Sequence, residues 1–361
     1  MYNMNSNKLI SDLFNTLHSC PEASMQEVRT KTHIIEFLQK HTTLKIHDEG
    51  SWFYALHYEG NGLENVAYRA DMDAIINTSG KLFHGCGHDG HCATLCRLAL
   101  DTEGENLNKN VFFIFQPGEE NGSGAAIISP RLQGMGISRI YGFHNLPGKE
   151  ANRVLLRSGT FACASKGMHI CFYGEQSHAA YPENGKNPAF AIAEILAGWS
   201  SITSPELYKG LVLATVIHMS VGKEGAFGVS AGRGNLSLTI RAESESELAL
   251  LEGRIKALTQ SVCDKHKIGF DIEFFDEFSA TINSDAQFRH ALSRFNEADI
   301  DYEILSEPMR WSEDFGNYLK VTDGLFMGIG AGTSCADLHT GDYKYNTEII
   351  AHSAKVLRTL L

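Results

Sequence analysis

Positions 86–91 hold a thiol, two imidazoles and a carboxylate within Gly85-Cys86-Gly87-His88-Asp89-Gly90-His91. Thiolate and neutral imidazole are both donors for zinc-like divalent ions, and carboxylates join them readily. The interleaved glycines let a backbone close donors around one point without Cβ clashes. A glycine-rich loop with a buried cysteine and surface histidines would read the same way, so the cluster needs support from the rest of the chain.

That support comes from the elements that must position it. Short apolar runs at 52–57, 65–70, 111–115 and 139–143 are expected as strands, with helices at 92–100 and 124–128 between them. Ahead of them, Leu9, Ile10, Leu13, Phe14 and Leu17 recur at helical spacing up to Pro21. Ser24 and Glu27 have capping-box spacing for a second helix carrying Val28, Ile34, Ile35 and Leu38. Strands alternating with helices predict an α/β fold with a mostly parallel sheet covered on both faces. In such sheets ligands bind beyond the carboxyl ends of the strands. Asp71 and Asp73 follow one expected strand, Glu119 and Glu120 follow another, and His144 ends a third. Three strand ends that each deliver a metal-type donor favour a metal site over surface decoration.

The pattern changes near Lys166. Strands at 168–173, 211–219, 235–242 and 270–275, with helices at 188–200 and 245–266, predict a smaller α+β insert. Site-like residues return with Glu313-Asp314-Phe315, the glycine-rich run 328–332 and His339. The expected division is 1–165 and 278–361 in one domain, interrupted by 166–277.

The chain has 361 residues, 43% of them hydrophobic and 20% charged, which suits a globular protein with a substantial core. A formal net charge of −12 argues against nucleic acid or an anionic membrane as partner. No apolar run is long enough for a transmembrane helix, and the polar start of the chain shows no leader pattern. The eight cysteines are scattered without CxxC pairs, which predicts reduced thiols and a cytoplasmic setting.

Cys86, His88, Glu120, His144 and His339 make up a donor set for a pair of ions with open positions. One thiolate, three imidazoles and a carboxylate suit zinc, manganese, cobalt or nickel, two ions per subunit. Two such ions can share a hydroxide and polarise a carbonyl together. Glu119 adjoins Glu120, and neighbours on extended chain point to opposite sides. One carboxylate can then bind metal while the other acts as general base.

These residues carry a resemblance. The stretches Leu17-His18 with Pro21-Glu22, Tyr68-Arg69-Ala70-Asp71-Met72-Asp73-Ala74, His84 to His91, Gln116-Pro117-Gly118-Glu119-Glu120, Gly142-Phe143-His144, Ser177-His178-Ala179-Ala180, Ser312-Glu313-Asp314-Phe315 and Leu338-His339-Thr340 resemble the M20 family of metallopeptidases. They resemble its amidohydrolase branch, of aminoacylase, hippurate hydrolase and auxin-conjugate hydrolase type. The resemblance implies a catalytic domain interrupted by a lid that pairs subunits into a homodimer, and a small N-acyl amino acid or peptide as substrate. It implies Asp73 as the residue orienting a metal-binding group, Glu119 as base, and His178 as a lid residue stabilising the oxyanion. It leaves the role of Asp71 open. Two departures stand out. Ile75-Ile76-Asn77-Thr78 leads quickly to His84 where relatives have a longer acidic loop, so one rim of the pocket is expected to be trimmed. Gly228-Val229-Ser230-Ala231 replaces Asn-Val-Ile-Pro, which leaves Arg241 alone to hold a substrate carboxylate.

Three other readings compete at this stage. A metal- or peptide-binding relative without turnover would not need Glu119. A zinc dehydrogenase would use 328–332 as a nucleotide loop, although that run lacks the spaced GxGxxG motif and is better read as a close-packed turn. Glu313-Asp314 reads equally as pocket lining or as a cap for a helix starting at Phe315.

Overall fold

The structure is a computed structural model that describes residues 2–361, with side chains from Ser6 onward. Met1, which opens the polar N-terminal stretch, lies outside the described residues. The chain packs as two compact units. The first takes the chain up to Phe161, Thr281–Pro308 and Asp314–Leu361; the second takes Ala162–Ala280 and Met309–Glu313.

The first unit opens with helices α1 (Tyr2–His18) and α2 (Val28–His41) and strands β1 (Lys45–Asp48), β2 (Phe53–His57) and β3 (Glu64–Asp71). Helix α3 (His88–Asp101), strand β4 (Lys109–Gln116), helix α4 (Gly124–Leu132) and strands β5 (Ile137–Pro147) and β6 (Val154–Leu156) follow. The second unit holds β7 (Ala164–Tyr173), α5 (Pro188–Ala197), β8 (Val212–Val221), β9 (Arg233–Ala242), α6 (Glu245–His266) and β10 (Gly269–Phe278). Back in the first unit come α7 (Asp285–Glu297), β11 (Tyr302–Ile304), β12 (Asp323–Gly332) and α8 (Ile350–Thr359).

The first unit's sheet has strand order β1-β2-β4-β3-β5-β12-β6-β11. Its four central strands, β4, β3, β5 and β12, run parallel, and β1, β2 and β6 join antiparallel. Strand β4 is buried at every position after Lys109, which requires cover on both faces and explains its unbroken apolar run. Period-two alternation then sorts β3. Val66, Tyr68 and Ala70 enter the main core with Leu95 and Leu98 of α3, while Arg69 and Asp71 share the opposite face. The expected mostly parallel, helix-flanked sheet is what forms.

In the second unit, β8, β9, β7 and β10 form an antiparallel sheet in that order. Burial alternates along β9. Leu236, Leu238 and Ile240 join Ile192 and Ile195 of α5 and Leu251 and Ile255 of α6 in a separate core. Among the described residues no helix is long and apolar enough to cross a membrane. All eight cysteines are free thiols.

Three local expectations change. Helix α2 does start at Val28, but Ser24 and Glu27 form no capping box; Ser24 Oγ donates to Asp73 instead. Glu22 caps this helix, its carboxylate accepting the backbone N–H groups of Arg29 (3.2 Å) and Thr30 (2.8 Å). Helix α3 starts at His88, inside the glycine-rich motif. The run 328–332 is no turn: it ends β12, parallel to β5 with Gly328 opposite His144. A Cβ on Gly328 would meet Leu146 Cδ1 at 2.2 Å and one on Gly330 the Glu150 carbonyl at 1.9 Å, so these glycines serve strand packing. The zinc dehydrogenase reading loses its nucleotide loop.

Candidate metal centre

The motif is bent into shape where α3 begins. Gly87 precedes the helix at φ +99°, and a Cβ there would lie 2.5 Å from Tyr343 Oη and 2.7 Å from Asn145 Oδ1. His88 therefore enters the first helical turn with Cys86 just outside it. At the other end of the motif, His18 Nδ1 at the end of α1 donates to Asp89 Oδ2 at 2.6 Å.

Each imidazole is set by the hydrogen bond on its far nitrogen. His88 Nδ1 lies 3.0 Å from both Asp73 Oδ1 and the Asp73 carbonyl, which fixes the proton there and turns the Nε2 lone pair inward. His144 Nδ1 donates to the Asn145 carbonyl at 2.8 Å, and its Nε2 stands 3.3 Å from Cys86 Sγ. His339 reaches the cluster from a loop. Its backbone N–H donates to the Gly85 carbonyl at 2.8 Å, its φ is +64°, and its Nε2 lies 3.6 Å from Glu120 Oε1. A side-chain-bearing residue in this region is strained.

His91 has a different fate. Its Nδ1 faces Asp71 Oδ1 and its Nε2 faces Asn145 Oδ1, each at 2.7 Å, so both ring nitrogens are engaged. Asn145 Nδ2 in turn donates to Tyr343 Oη at 2.7 Å. His91 supports the site from behind. The side chain of Asp71 is likewise committed, with Oδ2 accepting from Arg69 Nη1 at 2.7 Å while standing 3.5 Å from His88 Nε2.

The donors form two triads, Cys86 with His88 and His144, and Cys86 with Glu120 and His339; donor atoms in each lie within 4.8 Å of one another. His88 Nε2 and Glu120 Oε1 are buried without a hydrogen-bond partner, 3.8 Å apart. That is too long for a hydrogen bond but close to the donor separation, about 3.3 Å, that one tetrahedral zinc imposes on two ligands. The residues present fit divalent metal. The charge balance agrees. Burial works to lower the His88 pKa, yet Asp71, Asp73 and Glu120 raise it to about 10. The surrounding carboxylates thus favour positive charge at this position. Burial, with Glu120, Glu119 and Asp71, also pushes the Cys86 thiol well up, so metal entry must displace a proton from it. Burial and the neighbouring His91 hold His144 well below the usual range, neutral and ready to donate.

Glu119 and Glu120 do not point apart. Residues 119–122 are a turn closed by Gly122 N donating to the Glu119 carbonyl at 2.8 Å. Glu119 Oε2 consequently lies 3.9 Å and Glu120 Oε1 3.8 Å from the same His88 Nε2. Buried carboxylates hold this turn by its backbone. Asp73 Oδ2 accepts from Glu120 N at 3.0 Å, Glu27 Oε1 from Gly118 N at 2.7 Å, and Asp314 Oδ2 from Ala125 N at 2.8 Å. Asp314 N also points at Glu119 Oε1, 3.4 Å away. Asp314 thus does not cap the short helix after it; it closes the N-terminus of α4 and pairs with Arg69 Nη2 at 2.8 Å.

Cys86, His88, Glu119, Glu120, His144 and His339, with Asp73 behind them, come together in the first unit. His178 and Arg241 belong to the second. His178 is exposed, opposite Val229 in a two-stranded ladder, and its Nδ1 accepts from Ala180 N at 3.0 Å. Arg241 is part-buried and donates to Ser312 Oγ at 2.7 Å. The sequence reading gave no role at the site to Glu27, Gln116, Asn145 or Tyr343, whose contacts there are made mostly with residues distant in the chain.

Two consequences are measurable. Asp73→Ala frees the His88 ring and should weaken metal binding by about 10–100-fold, read by competition with a chromophoric chelator. Burial, opposed by hydrogen bonds, raises Glu27 to about 7. A carboxyl whose pKa is raised on folding favours the fold below its unfolded pKa and loses that benefit as pH rises through the folded one. Metal-free wild type should lose about 2 kcal/mol between pH 5 and pH 8 from this group, and Glu27→Gln should flatten that slope in urea unfolding.

The helix-flanked sheet and this Cys/His/carboxylate cluster, with a spare glutamate beside it, define a metal-dependent hydrolase. The family profile described as Peptidase family M20/M25/M40 matches residues 67–361, and the chain belongs to that family. It is 27% identical over 370 residues to an uncharacterised hydrolase of Staphylococcus saprophyticus, covering 96% of this chain and 94% of the relative. It is 26% identical to an N-acetyldiaminopimelate deacetylase of Exiguobacterium sibiricum, covering 90% of each. Among solved structures, a dinuclear metal-binding M20 peptidase from Bacillus subtilis shares the fold, with a TM-score of 0.82 at 20% identity over 99% of this chain and 98% of that one.

Proposed function

We propose that this chain is an amidohydrolase of the aminoacylase and hippurate hydrolase kind, cleaving the amide of N-acyl amino acids or small peptides. The observation that carries the reading is the Glu119 carboxylate, buried 3.9 Å from His88 Nε2 and adjoining both donor triads. Two divalent ions held by Cys86, His88, Glu120, His144 and His339 would supply Lewis-acid polarisation of the carbonyl and a lowered pKa of water. Zinc, manganese, cobalt and nickel all suit that donor set. Glu119 takes a proton from the attacking water and delivers it to the departing nitrogen, and Asp73 keeps His88 in its donor tautomer. The deacetylase among the relatives supports an N-acyl substrate.

In this reading residues 166–277 are the lid. His178 donates to the oxyanion there, and Arg241 holds the substrate carboxylate. Arg241 suits the task because, among the described residues, its guanidinium donates to the neutral Ser312 hydroxyl rather than to a carboxylate. The lid also pairs two copies of the chain. Strand β8 is a sheet edge that leaves Val216, Ile217 and Met219 exposed, which suits strand-to-strand addition of a second copy. Eight free thiols fit a reducing, cytoplasmic setting.

The test is hydrolysis of N-acetyl and N-benzoyl amino acids and dipeptides by metal-depleted protein resupplied with manganese, zinc or cobalt. Metal-dependent release of free amine is expected. No turnover of any of them by metal-loaded protein would count against the reading.

A further inference from the structure

Between β3 and α3 the chain turns back on itself as a miniature hairpin, Ile75 opposite Phe83 and Ile76 opposite Leu82. Its tip is stiff. Asn77 Oδ1 accepts the backbone N–H groups of Ser79 at 3.0 Å and Lys81 at 2.9 Å, and Gly80 N donates to the Asn77 carbonyl at 2.9 Å. The hairpin walls a cavity of 530 Å³ lined by the apolar residues Ala23, Ala74, Ile75 and Ile76 together with Glu120 and His339. The remaining lining is neutral, and neither lysine nor arginine contributes to it. Ile76 is 63% exposed at this cavity, a branched hydrocarbon left facing water beside a polar metal centre.

We infer that this cavity is the acyl-group subsite, that it takes an uncharged apolar acyl chain, and that Ile76 sets the preference for chain length. The inference rests on the amidohydrolase reading and adds the substrate class to it. Glu120 and His339 put the reacting carbonyl at this cavity, so one of the two substituents of the amide must run along the isoleucine wall. The volume lies in the range of pockets that enclose small ligands. The amine side of an N-acyl amino acid bears a carboxylate, for which the wall away from the metal ligands offers neither lysine nor arginine. A carboxylate laid against the isoleucine wall loses hydration and gains no hydrogen-bonding partner. The acyl side carries no charge and gains by covering Ile75 and Ile76. The stiff Asn77 turn keeps the wall from folding away. For the same reason an acyl group ending in a carboxylate, such as succinyl, is disfavoured.

The test measures binding, so that it does not depend on turnover. Metal-loaded Glu119→Gln protein is titrated calorimetrically with N-acetyl, N-butanoyl, N-hexanoyl and N-succinyl forms of one amino acid. Affinity should rise with chain length, by up to about fourfold per methylene until the wall is covered, with N-succinyl the weakest. Adding Ile76→Ala should flatten the series, and adding Ile76→Lys should bring N-succinyl above N-butanoyl. Because Ile76 is exposed, neither change endangers the fold. Affinity independent of chain length, N-succinyl equal to N-butanoyl, an unaltered series in Ile76→Ala, or no binding at all would each overturn the inference. Failure of the amidohydrolase reading shows differently, as wild-type protein that binds the series and leaves every amide intact.

Discussion

Glu119→Gln is expected to lower kcat roughly a thousandfold while both metal ions stay bound. Glutamine keeps the shape of the side chain and can still accept from Asp314 N, so the turn that carries it should hold. What it cannot do is take a proton from water. Glu119 is chemically redundant with Glu120 by type, and both approach His88 Nε2 to within 4 Å, yet only Glu120 also faces His339. With Glu119 as the proposed base, the variant should keep KM close to wild type and lose the acid limb of the kcat–pH profile. Steady-state kinetics with parallel metal analysis checks this. A variant with wild-type kcat would move the base role elsewhere; a variant that loses metal would make Glu119 a ligand.

The largest expected loss of stability comes from Arg69→Met. The Arg69 side chain is 1% exposed, with Nη1 on Asp71 and Nη2 on Asp314, while Nε donates to Gln116 Oε1 at 2.8 Å. Gln116 Nε2 closes the ring onto Asp314 at 2.7 Å. One buried cation thus holds two carboxylates and ties β3 to β4, to the start of α4 and to the segment after Asp314. Methionine fills the volume but leaves two buried carboxylates without the cation between them, at a cost of about 3–5 kcal/mol. The pH dependence has a definite sign. Burial raises Asp314 to about 6 even with Arg69 present. Without Arg69 its folded pKa rises further, so the stability of the variant is best below the unfolded carboxyl pKa and falls as pH climbs. The deficit against wild type should be larger at pH 8 than at pH 5.5 in urea unfolding of metal-free protein. A deficit below about 1 kcal/mol would mean that the carboxylates find other partners.

The parallel sheet could be read from the sequence because its strands are buried on both faces and so spell continuous apolar runs, as Val111-Phe112-Phe113-Ile114-Phe115 does. The metal-type donors could be read because cysteine, histidine and paired glutamates are distinctive and fall just past such runs. What escaped was set by the backbone between them. Glu119 and Glu120 converge because 119–122 turn, which the extended-chain rule could not anticipate. Ser24 and Glu27 have the spacing of a capping box, but Asp73 and Gly118, far away in the chain, compete for those side chains and win. His91 lies in the motif but outside the expected donor set, and its three-dimensional neighbours Asp71 and Asn145 engage both its ring nitrogens. The glycines at 328–332 read as a turn because nothing local reveals that Leu146 and Glu150 press against them in a strand.

The most direct test of the dinuclear site is equilibrium binding of cobalt(II) to metal-depleted protein, followed by absorbance and by metal analysis after gel filtration. Two ions per chain are expected, with a thiolate-to-cobalt charge-transfer band that disappears in Cys86→Ser. A single ion, or two ions with a spectrum indifferent to Cys86, would contradict the paired triads that share this thiol.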